Sequence, residues 1–169
     1  MLARLVSLVA LVLLVPALRA EELKPEHRNY DIRHLKLDLR FDLKKARVEG
    51  TCALTVAPLA DEFKSLLLHS KDTVVLAVTV TAADGAARPA RRFRTAEGLL
   101  RIDFDAVQPK GQTFRVDIEY EAEPTRGLYF FAPTPEHPEI PWQVWSQGEG
   151  TDNRHWYPCY DEPDDRSSD

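Results

Sequence analysis

The sequence predicts an all-β domain, a largely antiparallel sandwich, and three observations lead to this prediction. Apolar and polar residues alternate with a period of two along most of the chain after Glu21. Turn-forming residues separate the alternating segments, and the chain contains 12 Pro and 7 Gly. No segment after the first 20 residues carries a long apolar stripe at helical spacing. These features are typical of roughly seven or eight short strands in a sandwich.

The first two alternating segments predict a hairpin. Apolar residues occupy the odd positions of 35–41, and charged residues lie between them. After a short polar connection at 44–46, apolar residues occupy most even positions of 48–56, and Pro58 ends the segment. Alternation of this kind buries one face of a strand and leaves the other face in water.

The middle of the chain predicts further strands of the same kind. Residues 65–69 form a short apolar segment, and the even positions of 74–80 are apolar. A turn-rich stretch follows at 82–92, and its Asp84-Gly85 dipeptide is a strong hairpin signal.

Two more alternating segments complete the regular pattern. The even positions of 100–104 and of 114–120 are apolar, and the residues between them are charged. Lys110-Gly111 marks a turn between the two segments. We expect the apolar faces of all these strands to form one core, with the charged faces toward solvent.

Residues 1–20 have the pattern of a secretory signal peptide. Arg4 precedes an almost entirely apolar run at 5–18, which is shorter than the about 20 residues that a membrane-spanning helix needs. Cleavage fits after Ala17 or after Ala20, and an uncleaved anchor is the alternative. We therefore expect an exported protein, periplasmic or extracellular.

The β domain is expected to cover 21–169, and its composition excludes some classes of partner. The net charge of the chain is −5 at pH 7. An acidic domain does not suit nucleic acid or an anionic membrane surface, so no membrane contact is expected beyond the signal segment. Cys52 and Cys159 are the two cysteines, and the sequence leaves open whether they form a disulfide.

The pattern changes near Gly127, where alternation gives way to a Pro-rich stretch and then to all three Trp. Gln147 and Glu149 follow two positions apart, so on an extended backbone both side chains point to the same side. An amide beside a carboxylate is a good receptor for an ammonium group. Gly148 and Gly150 would let a ligand or another backbone approach closely. The alternative is an exposed polar loop pinned by aromatic packing.

The same stretch resembles a motif of the aminopeptidase N family of zinc metallopeptidases. The motif residues are Gln147-Gly148-Glu149, then Arg154, then Pro-Cys-Tyr-Asp-Glu-Pro at 158–163. Three positions differ mildly from the family's usual Thr, Ala and Phe, and they are Ser146, Asn153 and Tyr157. Upstream segments at 30–32, 48–50 and 127–129 are also similar, and the resemblance covers about residues 28–165.

The resemblance implies the N-terminal β domain of such an enzyme, a saddle-shaped and largely antiparallel assembly. In the family this domain packs on a thermolysin-like catalytic zinc domain that follows in the same chain. The resemblance implies that Glu149 helps to bind the free α-ammonium group of a peptide substrate, and that Gln147 lines the pocket for the first side chain. Arg154, Asp161 and Glu162 are interpreted as structural residues.

The catalytic motifs of that family do not occur in this sequence. It has no His-Glu-x-x-His and no Gly-x-Met-Glu-Asn, and no two of its five histidines are four positions apart. We therefore expect an N-terminal domain truncated at its C-terminal end, without catalytic residues or metal ligands. Zinc would belong to the full-length enzyme, and the chain alone is expected to bind no zinc and to be inactive.

Two other classes of function are alternatives. A stand-alone secreted β-sandwich would bind a partner or glycan through a Trp-rich surface at Trp142 and Trp145. An adhesion or structural module would have no ligand pocket. The first alternative predicts loss of binding when either Trp is changed. The enzyme interpretation predicts that a zinc-binding His-Glu-x-x-His is encoded downstream.

Overall fold

The computed structural model describes residues 28–162. Within them the protein has ten strands, one turn of 3-10 helix at Asn153–His155, and no α-helix, so the predicted all-β class is confirmed. None of the helical structure in this range is long and apolar enough to cross a membrane. The strands are β1 Tyr30–Asp42, β2 Arg47–Pro58, β3 Phe63–His69, β4 Thr73–Thr81, β5 Ala87–Pro89, β6 Arg92–Ala96, β7 Leu99–Gln108, β8 Phe114–Ala122, β9 Leu128–Phe131 and β10 Gln143–Ser146.

The described strands form three sheets, and every pairing is antiparallel. The largest sheet has the order β1-β2-β8-β4-β5, the second has the order β3-β7-β6, and β9 pairs with β10 alone. The predicted number of seven or eight strands is too low. The short strand β5 lies in the stretch at 82–92 that predicts turns, and β9 and β10 lie in the stretch after Gly127 that breaks the alternating pattern. The predicted signal peptide at 1–20 and Pro163 of the motif lie outside the described residues.

The core lies between the five-stranded and the three-stranded sheet. The alternation of β2, β7 and β8 is confirmed, because the predicted inward residues of all three strands are buried in one cluster. Fully buried side chains in it come from both sheets, among them Leu54, Val116, Ile118, Leu100 and Ile102. Burial of this much apolar surface is the main favourable contribution to the stability of such a domain.

Strand β1 is less buried than its alternation predicts. Leu35, Leu37 and Leu39 pack against the core but remain partly accessible, and Phe41 is exposed. The reason is topological, because β1 is the edge strand of the five-stranded sheet and has a neighbour on one side only. Its predicted hairpin with β2 is confirmed by a regular pairing from Leu35 opposite Leu54 onward.

The predicted inward face of β4 is wrong in its first half. The register of β4 against β8 shifts between Val75 and Ala77, so Leu76 is an extra residue in the strand. A bulge of this kind exchanges the two faces of a strand. Val74 and Leu76 are consequently 56% exposed each, while Val78 is buried as predicted.

Candidate functional site

The small β9–β10 sheet positions the candidate site. Ser146 at the end of β10 pairs with Leu128 at the start of β9. The backbone N–H of Gln147 then donates to the carbonyl of Gly127 at 2.9 Å, which extends the pairing by one residue beyond β10. Gln147 is therefore held at the end of a hairpin by the backbone and does not begin a free loop.

Gln147 and Glu149 lie together, as their spacing predicts. Both residues are exposed, and the amide Nε2 of Gln147 donates to Oε2 of Glu149 at 3.3 Å. We call them the amide–carboxylate pair. The pair offers solvent one negative charge, further acceptor oxygens and an amide donor, which together suit a cationic donor group such as an ammonium. Its role in binding remains a prediction.

Gly148, between the two, is covered by the chain itself. A Cβ atom at this position would lie 2.3 Å from Oδ1 of Asn153. The sequence predicts that a ligand or another backbone approaches Gly148 closely. In the structure it is the side chain of Asn153 that makes this close approach. Gly150 has a φ of 73°, which a turn can use and most side chains avoid.

Gly127 makes a second close contact at the base of the site. Its φ is 77°, and a Cβ atom there would lie 2.1 Å from the carbonyl oxygen of Asp152 and 2.9 Å from Cδ1 of Trp156. The backbones of the hairpin and the 3-10 turn thus meet at Gly127. The carbonyl of the same residue accepts the hydrogen bond from Gln147.

Arg154 and Asp161 form an ion pair behind the site, in which Asp161 is buried and Arg154 is partly buried. The backbone N–H of Arg154 donates to Oδ2 of Asp161 at 3.0 Å, and its Nε donates to the same oxygen at 3.1 Å. The guanidinium also donates to the backbone carbonyl of Asp161 and, at 3.2 Å, to Oε1 of Glu162. This network connects the 3-10 turn to the end of the motif, and it supports the structural interpretation of the three residues.

His69 anchors the same network to β3. The backbone groups of His69 and Cys159 exchange two hydrogen bonds, at 2.7 and 3.0 Å. Nδ1 of His69 accepts the backbone N–H of Asp161 at 3.1 Å, so the neutral ring carries its proton on Nε2, which lies 3.0 Å from Oε1 of Glu162. Burial lowers the pKa of His69, and Arg154 lowers it further against the opposite effect of the Glu162 and Asp161 carboxylates.

The lowered pKa of His69 predicts a loss of stability in mild acid. The ordinary pKa of His in an unfolded chain is about 6.5, so below that pH the unfolded state binds more protons than the folded state. The free energy of unfolding should therefore fall as the pH decreases from about 6.5 toward the folded-state pKa. Urea unfolding of the wild type and of His69→Gln between about pH 7.5 and about pH 5.5 measures this. The variant should depend less on pH, and equal slopes would contradict the assignment to His69.

A third polar cluster was not found from the sequence. Nδ1 of His155 lies 2.8 Å from Oδ2 of Asp72, and the hydroxyl of Thr125 donates to the same oxygen at 2.6 Å. Burial raises the pKa of Asp72, but the hydrogen bonds from Thr125 and His155 outweigh it and lower the pKa overall. The cluster connects the 3-10 turn to the loop before β4 and to Thr125 in the loop after β8.

The two cysteines are buried as free thiols, which answers the question that the sequence left open. The thiol of Cys52 donates to the carbonyl of Pro158 at 3.3 Å, which holds the motif against β2. Burial, with a smaller effect of Asp117, raises the pKa of Cys52 to about 12. Burial also raises the pKa of Cys159. Thiols in this state are packing groups and poor nucleophiles.

Metal ligands are not grouped in residues 28–162. No set of three or more His, Cys, Asp or Glu side chains there is arranged to hold a metal ion. Both ring nitrogens of His69 are engaged, Nδ1 by the backbone N–H of Asp161 and Nε2 by Glu162. The described residues therefore do not fit a zinc site, since structural and catalytic zinc need at least three converging protein ligands.

The fold and the site define a class of protein, an antiparallel β domain that carries a polar loop at the end of a small hairpin, held by a buried ion-pair network. The chain belongs more particularly to the family described as the Peptidase M1 N-terminal domain, whose model matches residues 24–168. The resemblance predicted from the motif around Gln147 and Glu149 is thus confirmed at the level of the family.

Individual relatives agree with the family. Leucine aminopeptidase 2 of Phaeosphaeria nodorum is 25% identical over 143 residues, which are 84% of this chain and 23% of that protein. Leukotriene A-4 hydrolase of Xenopus laevis is 26% identical over 135 residues, which are 79% of this chain and 22% of that protein. The chain therefore spans less than a quarter of the length of these curated relatives.

Solved structures agree on the fold. The crystal structure of an M1 zinc metallopeptidase from Deinococcus radiodurans is similar with a TM-score of 0.63 and 22% sequence identity. The similarity covers 82% of this chain and 30% of that one. At this level of identity the likeness carries the fold and no residue role.

Proposed function

We propose that this chain is the substrate-recognition domain of a zinc aminopeptidase that removes N-terminal amino acids from peptides. The observation that carries the proposal is the exposed amide–carboxylate pair, fixed at the end of the β9–β10 hairpin in a chain of this family. A binding site for a charged group needs side chains that are held in place. The hydrogen bond from the backbone N–H of Gln147 to the carbonyl of Gly127 holds the backbone of Gln147 in this way.

The chemistry of the proposed role is the capture of a free N-terminus. The carboxylate of Glu149 pairs with the α-ammonium group of the peptide, and the amide of Gln147 supports that carboxylate from 3.3 Å away. An N-acetylated peptide has no charge at this position and would leave the carboxylate unpaired. The pair would therefore distinguish exopeptidase substrates from internal or blocked ones.

Zinc enters this proposal through the rest of the polypeptide, because the residues described here do not fit a zinc site. A zinc ion held by a catalytic domain elsewhere in the full-length polypeptide would supply Lewis-acid chemistry for peptide hydrolysis. We propose that this chain contributes no catalytic residue and that residues 1–169 alone are inactive. Chelator-sensitive release of an N-terminal residue by the purified chain would contradict that statement.

Substitution of Glu149 tests the proposed function. In the full-length polypeptide, Glu149→Gln keeps the size of the side chain and removes its charge. We expect kcat/KM for an aminoacyl 4-nitroanilide with a free N-terminus to fall about 10- to 100-fold, the worth of a charge-assisted hydrogen bond. The matched control is Glu123→Gln, an exposed carboxylate directly after β8. Equal activity of the two variants would overturn the proposal.

A second candidate function rests on exposed aromatic residues. Trp142 and Trp145 are both exposed, which a stand-alone secreted binding module with a Trp-rich contact surface would use. That candidate predicts that substitution of Trp142 or Trp145 abolishes ligand binding and that substitution of Glu149 leaves it unchanged.

Export to the periplasm or the extracellular space also remains our proposal. Its support is the pattern of Arg4 followed by the apolar run at 5–18. Mass spectrometry of the mature N-terminus tests it, since cleavage after Ala17 or Ala20 is expected and an intact Met1 would contradict cleavage.

A further inference from the structure

Four arginines in β5, in β6 and between these strands differ from the other arginines of the described residues. They are Arg88, Arg91, Arg92 and Arg94. None of the four has a carboxylate within ion-pair distance in the part of the chain that the structure describes, whereas every other arginine of residues 28–162 has a carboxylate oxygen within 3.6 Å. No acidic residue lies between Asp84 and Glu97 in the sequence. This segment is therefore a local concentration of positive charge in a chain whose net charge is −5.

Strand β6 is an edge strand with an open outer side. It pairs with β7 from Arg92 to Ala96 without a bulge, and no described strand lies on its other side. The other edge of the same sheet, β3, has a bulge and is bridged by Cys159. The edge strand before β6, β5, has three residues, and one of them is Pro89, which has no N–H to donate. Such features protect an edge from pairing, whereas the N–H and C=O groups of an open regular edge can bind a further strand.

Arg92 and Arg94 lie on the outward face of the three-stranded sheet. They are opposite Asp103 and Arg101 of β7, which are partly accessible, whereas Ile102 between those two residues is buried. Nε of Arg101 donates to Oδ1 of Asp103 at 2.9 Å, so the carboxylate opposite Arg92 is already engaged. Like charges directly opposite each other, such as Arg94 and Arg101, destabilise a pair of strands. The positive charge of this edge is thus left uncompensated.

Phe93, between the two arginines, belongs to the other face of the sheet. It is opposite the buried residue Ile102, and it remains 36% exposed because β6 has no neighbour on its outer side. Side chains alternate between the two faces of a strand. A strand added beside β6 would therefore meet guanidinium groups at alternate positions and an apolar ring at the position between them.

We propose that the open edge of β6 binds an extended acidic segment of a partner protein by strand addition. Carboxylates two positions apart in that segment pair with Arg92 and Arg94, and an apolar residue between them packs beside Phe93. The backbone groups on the outer side of β6 complete the ladder of hydrogen bonds. A second copy of this chain does not suit the site, because it would bring the same arginines to the same edge. Basic segments are excluded for the same reason.

Titration of the purified chain with short peptides tests the inference. The core is formed within residues 28–162, so the chain can be studied alone. The probe is the blocked peptide Thr-Glu-Val-Glu-Val-Glu-Thr, followed through backbone amide signals in NMR spectra. The comparisons are its isomer Thr-Val-Glu-Glu-Glu-Val-Thr and a peptide with Lys in place of each Glu. We expect the alternating acidic peptide to bind most tightly and to slow hydrogen exchange of the outward N–H groups of β6. The Lys peptide should not bind.

Two double variants assign the effect to β6. Arg92→Gln with Arg94→Gln should weaken binding of the alternating acidic peptide roughly 3- to 30-fold, because two cross-strand charge pairs are lost. The matched control is Arg40→Gln with Arg115→Gln, which removes two exposed arginines from the five-stranded sheet. That control should leave the affinity unchanged.

Several results would overturn the inference. Equal binding of the two isomeric peptides would show a general attraction of negative charge without an added strand. Tighter binding of heparin, lost in the Arg92 and Arg94 variant, would assign this edge to an acidic polysaccharide. Equal effects of the two double variants, or no binding of the alternating peptide, would exclude β6 as its site. Binding to the purified chain but not to the full-length polypeptide would show that another domain covers β6.

Discussion

Replacement of Gly127 by Ala is expected to destabilise the domain by about 3–5 kcal/mol. Its φ of 77° is unfavourable for any residue with a Cβ atom, and that atom would lie 2.1 Å from the carbonyl oxygen of Asp152. Relief would require a backbone shift, because the opposing atom is not the end of a flexible side chain. The 3-10 turn would move away from the hairpin, and the hydrogen bond from Gln147 would weaken. Urea unfolding measures the loss.

Gly85→Ala is the matched control for this prediction. Gly85 has a similar φ of 83° in the turn before β5, and a Cβ atom there would meet no heavy atom within 4 Å. Its substitution carries the conformational cost alone, about 1–2 kcal/mol. Equal losses of stability at Gly85 and Gly127 would show that the close contact with Asp152 is unimportant.

Replacement of Arg154 by Met is the second large effect that we expect. The Asp161 side chain is 6% exposed, so removal of the guanidinium leaves a buried carboxylate without its charged partner. Breaking a buried pair from one side costs about 3–5 kcal/mol. The measurement is again urea unfolding at neutral pH, and the double variant Arg154→Met with Asp161→Asn should recover part of the loss, because no unpaired charge remains.

Arg40→Met provides the comparison. Arg40 pairs with Glu49 at 3.3 Å, but its side chain is 85% exposed. A pair in contact with water contributes less than about 1 kcal/mol. If Arg154→Met lowers the free energy of unfolding as little as Arg40→Met does, the ion pair between Arg154 and Asp161 does not hold the end of the motif in place.

The regular sheets could be predicted from the sequence because each inward face is decided locally. In β8 the apolar positions of 114–120 alternate without interruption, and all four are buried. The bulge at Leu76 could not be predicted, since the same alternation of apolar residues is compatible with a continuous strand and only the pairing with β8 reveals the extra residue. Strand β9 escaped prediction because large apolar residues occupy both of its faces, and β10 because it has only four residues.

In the candidate site, too, contacts between near neighbours in the sequence could be predicted, whereas contacts between distant residues could not. The spacing of Gln147 and Glu149 predicts that their side chains lie together, and the 3.3 Å contact agrees with it. Asp72 and His155 could not be connected, because they are 83 positions apart and lie in different loops of the chain. Identification of such contacts requires the fold, since local spacing gives information about neighbours along one strand only.

The hydrogen bond between Asp161 and His69 has a consequence for the order of folding. It joins residues 92 positions apart, and closing so long a loop costs chain entropy before any contact compensates it. Because β1 to β8 precede the motif in the chain, a ribosome releases them first, and the two main sheets can pair before residues 154–161 emerge. Residues 154–161 are then the last described part to dock, onto a β3 edge that is already folded. Folding should accordingly be slow, in the range from milliseconds to seconds typical of proteins with many long-range contacts.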